Sequence, residues 1–61
     1  MTQYRIILLD AAGAELSSGY VFAADDDGAC ASAEELMRSR ATAMTVRVLK
    51  DGRLVCSYER A

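Results

Sequence analysis

The 61-residue chain contains no histidine, and with it goes the commonest general base and metal ligand. The side chains left that could do chemistry are an acidic run, two cysteines and a group of arginines. Asp25, Asp26 and Asp27, followed by Gly28, suggest a cation loop. Calcium loops, however, set their oxygens at alternate positions over about twelve residues and close with a glutamate. Here the acids are contiguous and lead straight into an apolar-periodic stretch. They read instead as a helix start, where a carboxylate accepts from unpaired N–H groups and negative charge suits the dipole. Glu34 and Glu35 make no catalytic pair, because both fall on the solvent side of that helix. No metal, cofactor or catalytic site is expected.

Cys30 and Cys56 both point toward the expected core, one from the helix and one from the last strand. They read as buried free thiols filling space as small apolar residues in a reducing compartment. A bridge between them stays open. A reactive thiol would need a nearby cation and some exposure, and neither is evident.

The element that must position these residues is a helix over residues 25–40. On a 3.6-residue wheel Ala29, Cys30, Ala33, Leu36 and Met37 form one stripe, with Ala31, Glu34, Glu35 and Arg38 opposite. Arg38 and Arg40 suit its C-terminal end, and Glu34 can pair with Arg38 one turn on. Residues 4–10 (YRIILLD) and 15–23 (ELSSGYVFA) read as strands joined at Asp10-Ala11-Ala12-Gly13. Residues 44–49 and 53–58 read as a second strand pair around Lys50-Asp51-Gly52, and residues 59–61 as a frayed tail.

Three-residue loops with glycine in the left-handed conformation set both registers. They pair Leu8 with Leu16, Ile6 with Ser18 and Tyr4 with Tyr20. In the second hairpin they pair Val48 with Leu54, Val46 with Cys56 and Met44 with Tyr58. The expected architecture is α+β: a ββαββ chain in one domain, with a four-stranded antiparallel sheet and the helix on one face. Strand order 2-1-3-4 is preferred, because it makes every neighbour antiparallel, with 2-1-4-3 as the alternative. The expected core is Tyr4, Ile6, Leu8, Leu16, Tyr20, Phe22, Ala29, Cys30, Ala33, Leu36, Met37, Met44, Val46, Val48, Leu54, Cys56 and Tyr58.

The uncovered face then carries Ile7, Leu9, Val21, Leu49 and Val55, an apolar patch of the kind that marks an interface. Arg5, Arg47 and Arg53 share it and frame a contact with an acidic or protein partner. All four aromatic residues alternate to the helix side in this register. No ring is left on the open face for bases to stack on. A net charge of −2 also argues against a dedicated nucleic-acid binder.

Three stretches, LDAAGAEL (9–16), FAADDDGACASAEELM (22–37) and VRVLKDGRLV (46–55), carry a likeness to known sequences. With them the chain resembles short, uncharacterised bacterial proteins of the domain-of-unknown-function kind, which run hairpin, acidic-capped helix, hairpin. That group has no attached activity, so the resemblance implies the layout and transfers no functional residue.

A chain this short gains little net stability from one core and needs a tight interior, a staple or a partner. Apolar residues make up 52% of it, enough to argue against disorder. No apolar run approaches the length of a membrane span, and the first residues lack the basic-then-apolar layout of a signal peptide. The sequence therefore implies a cytoplasmic, non-enzymatic interaction domain. It is expected to form a homodimer through the open sheet face or an edge strand, with another protein partner as the further option. The alternative is an accessory binder of nucleic acid or another acidic partner through Arg5, Arg47 and Arg53.

Overall fold

The computed structural model describes residues 1–60. The chain runs β1 (Thr2–Leu9), β2 (Glu15–Ala23), α1 (Asp26–Ser39), β3 (Thr45–Lys50) and β4 (Arg53–Glu59). The strands form one antiparallel sheet in the order β2-β1-β3-β4, with α1 packed across one face and touching all four. This is the ββαββ architecture and the strand order that the sequence implies. Asp25 caps the helix, its Oδ1 accepting from Gly28 N–H at 2.8 Å. Arg38 donates to Glu34 at 2.8 Å one turn back.

The interior is built on the two central strands. Tyr4, Ile6 and Leu8 of β1 and Val46 and Val48 of β3 meet Ala29, Ala33 and Met37 of α1, with Ala23 and Ala43 closing the ends. Ala29 and Ala33 are small enough to let the helix backbone settle close to the sheet. Ala23 and Ala43 are buried although the sequence pattern does not single them out.

Both hairpins depart from the expected register: each holds a bulge, and the second also has a shorter loop. In the first, the three-residue loop forms as expected: Asp10 N–H donates to Ala14 O at 2.9 Å, and Gly13 takes φ +83°. Leu9 then pairs with Glu15, but Leu8 pairs with Ser17, so Leu16 is an extra residue on β2. That bulge turns over everything beyond it. Tyr4 lies opposite Val21 and Ile6 opposite Gly19, while Tyr20 and Phe22 lie opposite Arg5 and Gln3. In the second hairpin the loop is two residues, Asp51-Gly52, at φ 52° and 78°. Both positive values belong to the type I′ turn that suits strand twist. Lys50 pairs with Arg53 and Leu49 with Leu54, then Val48 pairs with Cys56, leaving Val55 as the extra residue. The bulge brings Cys56 and Tyr58 to the helix side without the three-residue loop.

Four residues expected inside are therefore outside. Tyr20, Phe22 and Leu54 are 66%, 61% and 60% exposed and Leu36 is 42% exposed, while Met44 is half-buried. An α-helix with its side chains is about 10–12 Å across, and strands lie about 4.8 Å apart. One helix therefore roofs the two central strands and only the inner margins of the outer two. Large rings on β2 would gain little cover beneath it. Ser17 and Gly19 occupy those inner positions instead.

Three ties hold the helix to this narrow core. Cys30 and Cys56 form a disulfide, joining α1 to the edge strand β4 across 26 residues of sequence, with Cα atoms 6.5 Å apart. This corrects the expectation of free thiols: the bulge at Val55 places Cys56 opposite Val48, on the side facing Cys30. At the other end of the helix, the Arg60 guanidinium donates to Met37 O at 2.6 Å and Arg40 O at 3.2 Å. Arg60 N–H also donates to Met44 O at 2.7 Å. The expected frayed tail is in fact strand through Glu59, followed by a cap for helix carbonyls; Ala61 lies outside the described residues. Third, the Tyr4 hydroxyl donates to Asp26 Oδ1 at 2.7 Å, fixing the helix start to β1. Lys50 Nζ stands 5.9 Å from the Tyr4 ring centroid, within the range of a cation–π contact.

The hydrogen bond to Asp26, then burial, then the charges of Asp26 and Asp25 push the Tyr4 phenol up to about 12 from its usual 10.0. Because the folded value is the higher, its contribution to stability is complete below pH 10 and is lost as pH rises through about 12. Unfolding free energy should fall over that alkaline window, and fall less steeply in Tyr4→Phe; equal slopes for the two proteins would contradict the tie. Closing a loop of this length stabilises by about 3–4 kcal/mol in the chain-entropy account. Urea unfolding with and without a dithiol reductant should differ by about that amount, whereas coincident midpoints would remove the disulfide from the account.

Candidate interaction surface on the open sheet face

Alternation and the observed registers fix which side chains share the face away from α1. Across the strands one row runs Tyr20, Arg5, Leu49 and Leu54, and the next runs Ser18, Ile7, Arg47 and Ser57. Phe22 and Gln3 stand beyond the first row, and Leu9, Thr45 and Glu59 beyond the second. Arg5 and Arg47 are exposed, and Ile7 and Leu49 are half-buried. Gln3, Arg5, Tyr20, Leu49, Asp51 and Gly52 line a hollow of about 260 Å³ there.

Of the eight candidate interface residues, Arg5, Ile7, Arg47 and Leu49 are brought together on this face. Leu9 belongs to it by alternation but is already buried, outside the main core cluster. Val21 and Val55 are not part of it. Val21 is carried to the helix side by the bulge at Leu16, and Val55 is itself the bulged residue; both pack against the core. Arg53 pairs with Lys50, whose ammonium reaches over the buried Tyr4 ring on the helix side. With Asp26 and Asp51 it lines a separate depression. The three arginines therefore do not form one cluster.

In exchange the face gains Tyr20, Phe22 and Leu54, the residues that strict alternation hides. Two of the four aromatic residues thus stand on the open face, and the ground for setting stacking aside no longer holds. Their signal is a missing one: sequence carries the alternation of β2 but nothing that marks Leu16 as a bulge. The character of the surface changes accordingly, from scattered aliphatics between arginines to an aromatic edge beside Arg5.

Among the described residues no group of three or more cysteines, aspartates or glutamates is placed to hold a metal ion, and no helix is long and apolar enough to cross a membrane. No protein-family model matches the chain, no curated protein matches its sequence and no solved structure matches its fold.

If Tyr20 and Phe22 stand in solvent, truncating either should leave the isolated chain almost as stable as before. Phe22→Ser should cost less than about 1 kcal/mol at high dilution, against about 3–5 kcal/mol for an aromatic lost from a core. Denaturant midpoints measure the difference, and a core-sized loss would restore the unbulged register.

Proposed function

We propose that this chain is a small non-enzymatic interaction domain that associates with a second copy of itself through its open sheet. The observation that carries the reading is the pair Tyr20 and Phe22, about two thirds exposed on an outer strand beside the half-buried Ile7 and Leu49. Exposed rings of this size cost solubility and contribute most when a partner covers them. A narrow core gives a second motive, since a dimer would bury area that one helix cannot reach. Arg5 and Arg47 frame the patch as polar rim residues do. The Cys30–Cys56 bridge favours an oxidising compartment over the reducing cytoplasm, and so weighs against a cytoplasmic location.

A second reading, an accessory binder of single-stranded nucleic acid, gains from the same two rings. Tyr20 and Phe22 offer faces for bases, and Arg5, directly opposite Tyr20 on β1, offers a phosphate contact. The net charge of −2 weighs against it, as does the placing of Arg53 away from the open face.

Sedimentation equilibrium from low to high micromolar concentration tests the first reading. The native chain should pass from monomer to dimer, and Phe22→Asp should weaken that transition at least tenfold while far-ultraviolet circular dichroism keeps the helix. A monomer throughout the range would reject self-association. For the second reading, a labelled single-stranded oligonucleotide should be retained at low salt and released steeply as salt rises; no retention at low salt would end it.

A further inference from the structure

The free edge of β2 shows how two copies would meet. Asp10 N–H bonds to Ala14 O on the β2 side of β1, and Met44 N–H bonds to Leu9 O on the β3 side. In an antiparallel ladder these directions alternate, so Tyr4, Ile6 and Leu8 direct their backbone groups to β2. Their partners Val21, Gly19 and Ser17 answer them. The residues between, Ser18, Tyr20 and Phe22, therefore turn their N–H and C=O groups to the free edge.

That edge lacks the usual protection. From Leu16 to Ala24 it contains no charge and no proline, two of the devices by which sheet edges avoid pairing. Its bulge at Leu16 lies at one end and leaves the rest straight. Behind it is an unfilled space: Ile6, Leu8, Ser17, Gly19 and Leu36 border a cavity of about 120 Å³. A Cβ added to Gly19 would meet nothing within 4 Å. Leu36 overhangs this space from the helix, 42% exposed, with no strand beneath its outer side.

We propose that β2 pairs antiparallel with β2 of a second copy, Tyr20 facing Tyr20 across a two-fold axis, to make an eight-stranded sheet. The inference rests on the self-association reading above and names its geometry. In this register the outward groups of Ser18 meet those of Phe22 from the other copy. Val21 of each copy lies opposite Gly19 of the other, on the helix side, where it fills the space beside Leu36. On the open side the two Tyr20 rings and the flanking Phe22 rings come together. Two rings of about 150–250 Å² each, roughly two thirds exposed, offer about 200–330 Å² per copy, to which Leu36 and the strand backbone add. The total stays below the roughly 800 Å² per partner of a standard interface, as suits a dimer that forms only as concentration rises. Absence of charge along the strand lets two identical edges approach without repulsion.

Two variants of the full chain test the geometry. Residues facing each other in a hydrogen-bonded pair have Cα atoms about 5.5 Å apart, within reach of a disulfide. Tyr20→Cys should cross-link to its own copy under mild oxidation at least tenfold faster than Ser57→Cys, which lies on the same open face at the far edge. Peptide mapping should show the Cys30–Cys56 bridge intact. Ser18→Pro deletes an outward N–H that the monomer does not use and should weaken dimerisation at least tenfold. If Ser18→Pro does not fold, the cross-linking comparison decides. A dimeric native chain in which position 20 links no faster than position 57 would overturn the edge geometry and leave self-association standing. A native chain monomeric at every concentration would overturn both, and leave the strand edge to a foreign peptide.

Discussion

One helix is too narrow for four strands. Every departure of this structure from a simple layered plan follows from that mismatch of widths. A helix of about 10–12 Å lies on a sheet whose outer strands are about 14 Å apart. Full burial is confined to β1 and β3, where Tyr4, Leu8, Val46 and Val48 are the large side chains wholly removed from water. The outer strands each carry a bulge close to the turn, at Leu16 and at Val55. On β4 the bulge brings Cys56 and Tyr58 inward, and on β2 it sends Tyr20 and Phe22 outward.

The margins are held by directional links where apolar burial falls short. The disulfide pins α1 to β4, Arg60 closes the last helix carbonyls from the end of the chain, and Tyr4 ties the first helical turn through Asp26. All three act on the β4 side or at the helix ends, and none reaches β2. That strand shares its backbone hydrogen bonds with β1 alone and leaves an open space between Gly19 and Leu36. The asymmetry leaves β2 as the edge no such link holds, while the opposite edge is stapled to the helix.

Most of the layout was legible in the sequence because it depends on local chemistry. An acidic cap within Asp25–Asp27, the Glu34–Arg38 pair, the glycine at the first turn and the antiparallel strand order follow from residue types at fixed spacing. The inner face of β1 and β3 was legible too, since their alternation is unbroken. Single-residue bulges were not, because nothing in Leu16 or Val55 announces them, and each reverses every side chain that follows. Choosing the register that hid the most apolar residues placed Tyr20, Phe22 and Leu54 inside. A single helix cannot cover that many strands. Arg60 and the Tyr4 hydroxyl were missed for a related reason: their partners lie more than twenty residues away, beyond any local pattern. The candidate site was half legible. Arg5, Ile7, Arg47 and Leu49 are where alternation puts them, while its aromatic edge came entirely from the shifted register.

β2 is an unpaired, inverted edge, and its completion by a second copy is the central proposal. Backbone amide exchange followed residue by residue, as a function of protein concentration, tests this most directly. At high dilution the amides of Ser17, Gly19 and Val21 should exchange slowly and those of Ser18, Tyr20 and Phe22 fast. At high concentration the second set should become protected while the first is unchanged. Slow exchange of Tyr20 and Phe22 in the dilute monomer, or fast exchange of both at every concentration, would contradict it.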